Sequence, residues 1–284
     1  MIRQKIIFIT GCSSGIGYDA ALALSKRGHR VIASCRCAED LSKLQDTGLE
    51  ALILDMNDEN SIISAFNELM AKTQGCLDVL INNAGYGQAG ALEDIPPKVL
   101  RQQFETNVFG LMHLTQLAIP VMRKQGQGRI INVSSVLGFI SMPFRGAYNA
   151  SKYAVEGFCD TLRLELKSSK IDVICIEPGP IRSRFRDNVI DNSLRKIDLE
   201  NSHFRETYQS MLIGYRSSKE DSFFTQGTDA VIAKFILAIE SAKPKPKYRV
   251  TIPTHLFAFL KRILSVKMLD RFINFLSKKE LGSR

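Results

Sequence analysis

The chain has 284 residues, of which 45% are hydrophobic and 24% are charged. These proportions are those of a globular protein with a substantial core, and the length suits one large α/β domain or two small ones. The net charge is +9, but the basic residues are spread along the chain with an excess near the C-terminus, and no zinc-finger or aromatic ribonucleoprotein motif occurs. We therefore expect no nucleic-acid partner.

The six cysteines are scattered and form no metal-ligand pattern with the four histidines. This distribution predicts a reducing, cytoplasmic setting, no disulfide framework and no metal site. The apolar run Ile6–Ile9 is too short for a signal peptide and leads directly into a glycine loop, so we expect no signal peptide. No apolar run reaches the length of a membrane-spanning helix.

A glycine cluster lies between a predicted strand and a predicted helix near the N-terminus. Lys5–Thr10 is predicted as the first strand, Thr10–Gly17 (TGCSSGIG) follows, and the helix after it ends at Lys26–Gly28. The second strand is Val31–Ala33. Glycines at this position let the backbone approach a pyrophosphate at the helix N-terminus, so the unit predicts dinucleotide binding.

The residues after the second strand bear on the choice of cofactor. NAD-binding units place an Asp or Glu about 20 residues after the glycines, to hold the ribose 2′-hydroxyl. Ser34–Cys37 contains no acid, and Arg36 stands 19 positions after Gly17. A guanidinium there can pair with a 2′-phosphate, which favours NADP(H). The alternative is that Arg36 is only a solvated residue at the end of a strand.

Strands continue to alternate with helices along the chain. This alternation predicts an α/β fold with a doubly wound parallel sheet of the Rossmann type, in a single domain, with ligands outside the carboxyl ends of the strands. The predicted elements are a strand at 51–55, a helix at 59–72, a strand at 78–81, a long helical region at 98–123, a strand at 129–133, a helix at 147–166 and a strand at 172–176.

Three residues between positions 135 and 152 can perform chemistry together. Tyr148 and Lys152 are four apart, so on a helix they share one face. A nearby ammonium stabilises a phenolate and lowers the pKa of Tyr148 toward the range of a general acid/base. Ser135 follows the fifth strand and can hold a carbonyl or alcohol oxygen during proton transfer, although Ser134 is an alternative. The competing interpretation is a surface tyrosine and a solvated lysine.

The C-terminal tail, residues 251–284, is amphipathic. It predicts one or two helices packed on the domain or on a partner subunit; the alternative is an amphipathic helix that contacts an anionic membrane through residues 255–279. The apolar stripe is Phe259, Ile263, Val266, Leu269, Ile273 and Leu276. The residues that widen it are Phe257, Leu260, Leu264, Met268, Phe272 and Phe275.

Together, the motifs of residues 5–250 resemble the short-chain dehydrogenase/reductase family. The family pattern is Thr-Gly-x-x-x-Gly-x-Gly, Asn-Asn-Ala-Gly after the fourth strand, a helical Asn, Ser thirteen before Tyr, Tyr-x-x-x-Lys and Pro-Gly after the sixth strand, and the sequence contains each in this order. The resemblance implies that Tyr148 is the acid/base and that Ser135 orients the substrate oxygen. It also implies that Lys152 holds the cofactor ribose and lowers the tyrosine pKa, and that Asn107 supports a water that relays protons to Lys152.

The same resemblance implies a set of cofactor-binding residues. Asp55 resembles the residue that contacts adenine, and Asn83 the residue beside the adenine ribose. Ser183 stands where the family usually has a threonine near the carboxamide. The implied set is Gly11, Ser13, Ser14, Gly15, Ile16, Gly17, Arg36, Asp55, Asn83, Ala84, Gly85, Tyr148, Lys152, Pro178, Gly179, Ile181 and Ser183.

Within the family, residues 148–157 and 177–182 look like the 17β-hydroxysteroid and retinol dehydrogenase branch and the bacterial NADP-dependent aldehyde reductases related to it. This implies an oxidoreductase that uses NADP(H) on an apolar carbonyl or alcohol and forms a homo-oligomer. Two alternatives are an NADP(H)-binding redox sensor without turnover and a sugar epimerase. The complete set of four predicted catalytic residues disfavours the sensor, and the short length disfavours the epimerase.

The polar segment 184–226 corresponds to the part of the family fold that covers the substrate, and we assign it as a lid within a catalytic domain of residues 1–250. A loop of this length is usually functional or disordered. Its large apolar residues either line an apolar pocket or pack the lid onto the body. They are Phe185, Phe204, Tyr208, Met211, Phe223 and Phe224.

Overall fold

A single sheet of seven parallel strands organises the computed structural model, which describes residues 3–182, 193–217 and 224–281. The strand order is β3-β2-β1-β4-β5-β6-β7, and every neighbouring pair is parallel. The strands are β1 (Ile6–Ile9), β2 (Arg30–Cys35), β3 (Glu50–Ile53), β4 (Val79–Asn82), β5 (Gly128–Val133), β6 (Ile171–Glu177) and β7 (Lys247–Arg249). The predicted doubly wound parallel sheet is confirmed.

Helices cover both faces of this sheet. They are α1 (Gly15–Lys26), α2 (Ala38–Asp46), α3 (Glu59–Thr73), α4 (Pro97–Phe104), α5 (Gly110–Gln125), α6 (Gly146–Glu165), α7 (Arg205–Ser217), α8 (Thr228–Glu240), α9 (Ile252–Ile263) and α10 (Val266–Leu281). A π-helical segment, Glu105–Phe109, joins α4 to α5. The long helical region predicted for residues 98–123 is therefore confirmed, with a π-helical segment in its middle.

The alternation of side chains along the strands creates two buried cores. In β1, Ile7 and Ile9 pack with α1 and α8 on one face, whereas Phe8 packs with α3, α5 and α6 on the other. Successive strand residues point to opposite faces, and a parallel sheet buries both faces, so its strands are apolar throughout. This explains why short uninterrupted runs of apolar residues predicted the strands.

The lid segment contains regular structure that the sequence did not predict. Helix α7 forms within it, and the sequence analysis also missed α8 and β7. Phe204, Tyr208 and Met211 pack against a buried cluster that includes Ile95 and Val99. For these three lid residues the packing interpretation is confirmed. Phe224 is exposed, and the predictions for Phe185 and Phe223 lie outside the described residues.

The tail forms two helices, α9 and α10, separated by an extended residue, Leu264 (ψ 142°). Phe257 of α9 and Ile273 of α10 are buried against Ile140 of the catalytic body. The described tail therefore packs on its own domain, as one of the predicted alternatives has it. The members of the predicted apolar stripe have different environments, since Phe259, Ile263 and Val266 are exposed whereas Ile273 is buried. Among the described helices, none is long and apolar enough to cross a membrane.

A buried ion pair connects the ends of the last two strands. Glu177 at the end of β6 is 1% exposed, and its Oε2 accepts a hydrogen bond from Arg249 Nε of β7 at 3.1 Å. Burial, together with the negative charge of Glu156, raises the pKa of Glu177 to about 7, although Arg249 opposes this shift. The fold therefore holds a carboxyl group that titrates near neutral pH.

The packing of α5 can be tested with two glycines. A Cβ added at Gly110 would lie 2.1 Å from the carbonyl oxygen of Met56, whereas a Cβ at the helical Gly157 meets no atom within 4 Å. We expect Gly110→Ala to lower the free energy of unfolding by about 1–3 kcal/mol. The control Gly157→Ala should raise it by about 0.5–1 kcal/mol, because alanine is the better helix former. Urea unfolding measures both, and a Gly110→Ala protein as stable as wild type would contradict this packing.

The ion pair of Glu177 predicts a pH dependence of stability. The folded protein binds this proton more tightly than the unfolded chain, so stability falls as pH rises from about 4.5 to about 7. We expect Glu177→Gln to remove up to about 3 kcal/mol of that fall. Urea unfolding of wild type and Glu177→Gln across this pH range measures the two slopes. Equal slopes in wild type and Glu177→Gln would refute the shift.

Candidate active site

The glycine loop after β1 folds tightly against the turn after β4. Gly11 has a φ of +73°, and a Cβ there would lie 2.7 Å from the Cα of Ala84. A Cβ on Gly17 would lie 2.3 Å from the carbonyl oxygen of Gly11. Asn83 Nδ2 donates to the carbonyl oxygens of Thr10 (2.9 Å) and Gly11 (3.1 Å). Only residues without side chains permit this approach.

The N-terminus of α1 is prepared for an anion. Ser14 is the N-cap residue, but its side chain makes no capping hydrogen bond, and the first turn carries no acidic residue. The first-turn N–H groups, from Gly15 onward, lack a capping partner, and the helix dipole adds positive potential. Ser13 is exposed beside them, and Ile16 packs onto the core. These residues fit the pyrophosphate of a dinucleotide.

Arg36 follows β2 directly and is exposed. Within the described residues, no hydrogen bond or ion pair holds its guanidinium. A hydrogen bond from Lys43 is the largest of several effects that hold the pKa of the Asp40 carboxyl below its usual value. The positive charge of Arg36 is a smaller effect that lowers the same pKa. The backbone N–H of Cys12 donates to the carbonyl oxygen of Ser34 at 2.7 Å. This bond places the end of β2, and with it Arg36, beside the glycine loop.

Asp55 lies two residues beyond β3, so the predicted strand at 51–55 is too long. Its Oδ1 accepts hydrogen bonds from the backbone N (2.9 Å) and Nδ2 (3.0 Å) of Asn57. The backbone N of Asp55 donates to Ser61 Oγ at 2.9 Å. These contacts fix the carboxylate at the edge of the sheet that also carries the glycine loop.

Asn107 lies in the π-helical segment and is fully buried. Its Oδ1 accepts from the backbone N of Tyr86 (3.0 Å), and its Nδ2 donates to the carbonyl oxygen of Tyr86 (2.9 Å) and to Ser151 Oγ (3.1 Å). A Cβ on Gly85 would lie 3.1 Å from Asn107 Oδ1 and 3.7 Å from Lys152 Nζ. The side chain of Asn107 thus ties the turn after β4 to α6, and the predicted water relay stays a prediction.

Ser135, Tyr148 and Lys152 meet beyond the carboxyl end of β5. The side chains of Ser135 and Tyr148 are hydrogen bonded, and Ser135 Oγ also accepts from the backbone N of Leu137 at 3.1 Å. Lys152 Nζ lies 5.8 Å from the centre of the Tyr148 ring and donates to the carbonyl oxygen of Val133 at 2.7 Å. The structure brings together the three residues that the spacing in sequence predicted.

Ser134 takes no part in this arrangement. Its hydroxyl is buried and has no hydrogen-bond partner among the described residues. A Cβ on Gly138 would lie 2.4 Å from Ser134 Oγ, so this hydroxyl faces the short helical turn after β5 and not Tyr148. Of the two serines considered from the sequence, the structure therefore favours Ser135.

Burial shifts the pKa values of the two titratable groups in opposite directions. Tyr148 is partly exposed as a residue, but its phenol is desolvated, which raises its pKa to about 12 despite the hydrogen bond to Ser135 and the charge of Arg145. Desolvation also lowers the pKa of Lys152 to about 8, against the influence of neighbouring groups that include Glu156. The direction of the Tyr148 pKa shift is opposite to the sequence-based expectation, because burial outweighs the nearby charges.

The loop after β6 forms the other side of the crevice. The carbonyl oxygen of Pro178 accepts from the backbone N of Val136 at 2.7 Å. Gly179 is required here, since a Cβ would lie 2.0 Å from Thr251 Oγ1. Ile181 follows within this loop, and the prediction for Ser183 lies outside the described residues.

Thr10 and Thr251 also contribute to this crevice, although neither was among the site residues predicted from the sequence. Thr10 Oγ1 accepts hydrogen bonds from the backbone N–H groups of Asn83 (3.0 Å) and Ala84 (2.9 Å), so it joins two strand ends. From the sequence, Thr10 was noted only as the first residue of the glycine motif. A hydroxyl group at the end of a strand could have indicated that it hydrogen bonds to the end of a neighbouring strand. Thr251 packs behind Gly179, and no local pattern could have revealed a contact so distant along the chain.

Comparison with known proteins adds sequence relatives. The model of the family described as short chain dehydrogenase matches residues 5–193. The chain is 41% identical over 272 residues to the uncharacterized oxidoreductase YbbO of Escherichia coli K12 (96% of this chain, 95% of the relative). It is 32% identical to 3-ketodihydrosphingosine reductase of Bacteroides thetaiotaomicron (88% of each) and 30% identical to human 17-beta-hydroxysteroid dehydrogenase type 1 (88% and 78%).

Solved structures also resemble this fold over most of its length. The closed form of a serine dehydrogenase complexed with NADP+ is 25% identical, with a TM-score of 0.71, and the match covers 88% of this chain and 95% of that one. The sheet order, the glycine loop and the meeting of Ser135, Tyr148 and Lys152 are consistent with these matches. The sequence match to human 17-beta-hydroxysteroid dehydrogenase type 1 also bears out the resemblance to that branch. The chain therefore belongs to the short-chain dehydrogenase/reductase family of oxidoreductases.

Proposed function

We propose that this protein transfers hydride between NADP(H) and an apolar carbonyl or alcohol. The observation that carries the proposal is the hydrogen bond between the side chains of Ser135 and Tyr148, one helical turn from Lys152. This pair lies at the same sheet edge as the α1 N-terminus, so a dinucleotide bound there extends toward the phenol. The arrangement suits proton transfer to an oxygen atom.

Tyr148, Ser135 and Lys152 have different roles in the proton transfer. Bound NADPH supplies the hydride that reaches the carbonyl carbon. The neutral phenol of Tyr148 donates its proton to the carbonyl oxygen, while the Ser135 hydroxyl donates a hydrogen bond to the same oxygen. The ammonium of Lys152 stabilises the phenolate that remains, which lowers the free energy of the charged intermediate. Alcohol oxidation uses the same groups, with Tyr148 accepting the proton.

Three observations support NADP(H) as the cofactor. Residues 36 and 37, between β2 and α2, contain no acid, although Glu39 and Asp40 follow in the first turn of α2, and the exposed Arg36 makes no ion pair within the described residues. The α1 N-terminus suits an anionic dinucleotide. The serine dehydrogenase that shares this fold was solved with NADP+.

The names of two relatives support an apolar substrate, and aromatic side chains pack around the loop that precedes Tyr148. Phe144, four residues before Tyr148, has a φ of +59°, an unfavourable conformation for a bulky residue. Its carbonyl oxygen accepts from Gly90 N at 2.8 Å, and its ring makes edge contacts with Phe204 (5.2 Å between centroids) and Tyr208 (5.8 Å). Aromatic residues from the lid thus reach the loop before the phenol. Two of the relatives are named for a sphingoid and a steroid substrate.

The role of Tyr148 can be tested by removing one oxygen atom. We expect Tyr148→Phe to lower turnover by at least about 10³-fold, because the proton donor is lost, while the NADPH dissociation constant changes by less than about threefold. NADPH consumption with apolar aldehydes, ketosteroids and retinal measures turnover, and fluorescence titration measures binding. Tyr153→Phe, on the exposed side of the same helix, is the control. Full turnover by Tyr148→Phe would rule out this mechanism.

The role of Arg36 can be tested by reversing its charge. We expect Arg36→Asp to raise the NADPH KM by about 10–100-fold and to make NADH the preferred cofactor, because the contact with the 2′-phosphate is lost. Arg101→Asp changes an exposed arginine of α4 and should leave both KM values as in wild type. Steady-state kinetics with both cofactors provides the comparison. An unchanged NADPH KM in Arg36→Asp would show that Arg36 does not bind the phosphate.

A further inference from the structure

Helix α9 exposes one apolar face away from the body. Ile252, Leu256, Phe259 and Ile263 are spaced by four, three and four residues, which places them on one side of the helix. Each is 47–62% exposed. The opposite side, with Phe257, is buried. This helix therefore has two apolar faces, of which only one is used by the fold.

Helix α10 repeats the arrangement. Met268 and Phe275 lie seven residues apart, so they share a face, and they are 53% and 71% exposed. Ile273, on the other side, is buried. Val266, at the first position of α10, is 76% exposed. We use the term outer tail surface for Leu256, Phe259, Ile263, Met268 and Phe275.

Basic side chains accompany the outer tail surface. Arg262, Lys267 and Arg271 are exposed, and within the described residues no ion pair neutralises them. The single acid between residues 252 and 277 is Asp270. Large apolar groups interspersed with cations are typical of helices that lie in a membrane interface. Isolated exposed apolar residues are ordinary, but these five large ones lie on the outer sides of two consecutive helices, between residues 256 and 275.

We propose that the outer tail surface docks on an anionic lipid bilayer. The exposed arginines and lysine complement lipid phosphates, while the apolar side chains enter the boundary between headgroups and acyl chains. A second copy of the chain fits less well, since a twofold interface would set this basic surface against itself. The charge pattern therefore selects the lipid over the subunit as the occupant.

The tail that carries this surface is attached, through its buried side, to the loop that separates Ser135 from Tyr148. Ile140 of that loop packs with the tail, and Lys261 Nζ donates to the carbonyl oxygen of Phe139 at 2.6 Å. A bilayer bound to the outer tail surface would lie across the two tail helices from this loop. Uptake of an apolar substrate from the bilayer is a consequence that rests on the proposed function, whereas docking itself does not.

The test is flotation of the full-length chain with vesicles of phosphatidylcholine alone or of phosphatidylcholine mixed with phosphatidylglycerol. We expect binding to the mixed vesicles, little binding to phosphatidylcholine alone, and release at high salt. The variant Leu256→Gln/Phe259→Gln/Ile263→Gln should lower the bound fraction at least about tenfold. The matched control Leu164→Gln/Leu237→Gln changes exposed leucines of α6 and α8 and should bind as wild type does.

A charge variant, Arg262→Gln/Lys267→Gln/Arg271→Gln, should reduce binding to mixed vesicles to the level seen with phosphatidylcholine alone. Thermal unfolding checks that each variant is folded. Wild-type protein that binds no vesicle, or an apolar variant that binds like wild type, would overturn the proposal. So would an apolar variant that dissociates an oligomer in lipid-free sedimentation, because the surface would then join two copies. Absence of NADPH turnover with intact vesicle binding would count against the proposed function alone.

Discussion

The contact between the glycine loop and the turn after β4 is the constraint on which the site depends. Thr10 Oγ1 accepts two backbone N–H groups from that turn, and Asn83 returns hydrogen bonds to two carbonyl oxygens of the loop. These backbone groups lie where strands end and would otherwise be buried without partners. Because β1 and β4 are neighbours at the point where the strand order reverses, the same contact creates the crevice. The side chains of Thr10 and Asn83 thus satisfy these backbone groups, and the N-terminus of α1 remains available for the cofactor.

Desolvation determines where the protons reside in this crevice. Burial disfavours the charged forms of both Tyr148 and Lys152, so the pKa of the phenol rises while the pKa of the amine falls. The site therefore favours a neutral phenol, which is the form that donates a proton to a carbonyl. The ammonium of Lys152 remains charged below its pKa of about 8 and can stabilise the phenolate once the proton has moved.

The tail shows how one amphipathic pattern can serve two purposes. Its buried side, represented by Phe257 and Ile273, extends the core onto the loop of Ile140. Its outer side remains apolar and basic, although the fold needs neither property there. An extra apolar face that does not contribute to the core is a feature that folding alone does not explain.

The sequence alone predicted the parallel sheet and the meeting of Ser135, Tyr148 and Lys152. This was possible because apolar runs, glycine spacing and helical periodicity are local, and because parallel strands end at a common edge. It missed β7 and α8, and it treated the tail as one stripe. Pairing of a three-residue strand with β6 and the break at Leu264 depend on contacts between distant segments. The tertiary structure also decided the direction of the Tyr148 pKa shift, because desolvation depends on every atom packed around the phenol and not on its neighbours in sequence.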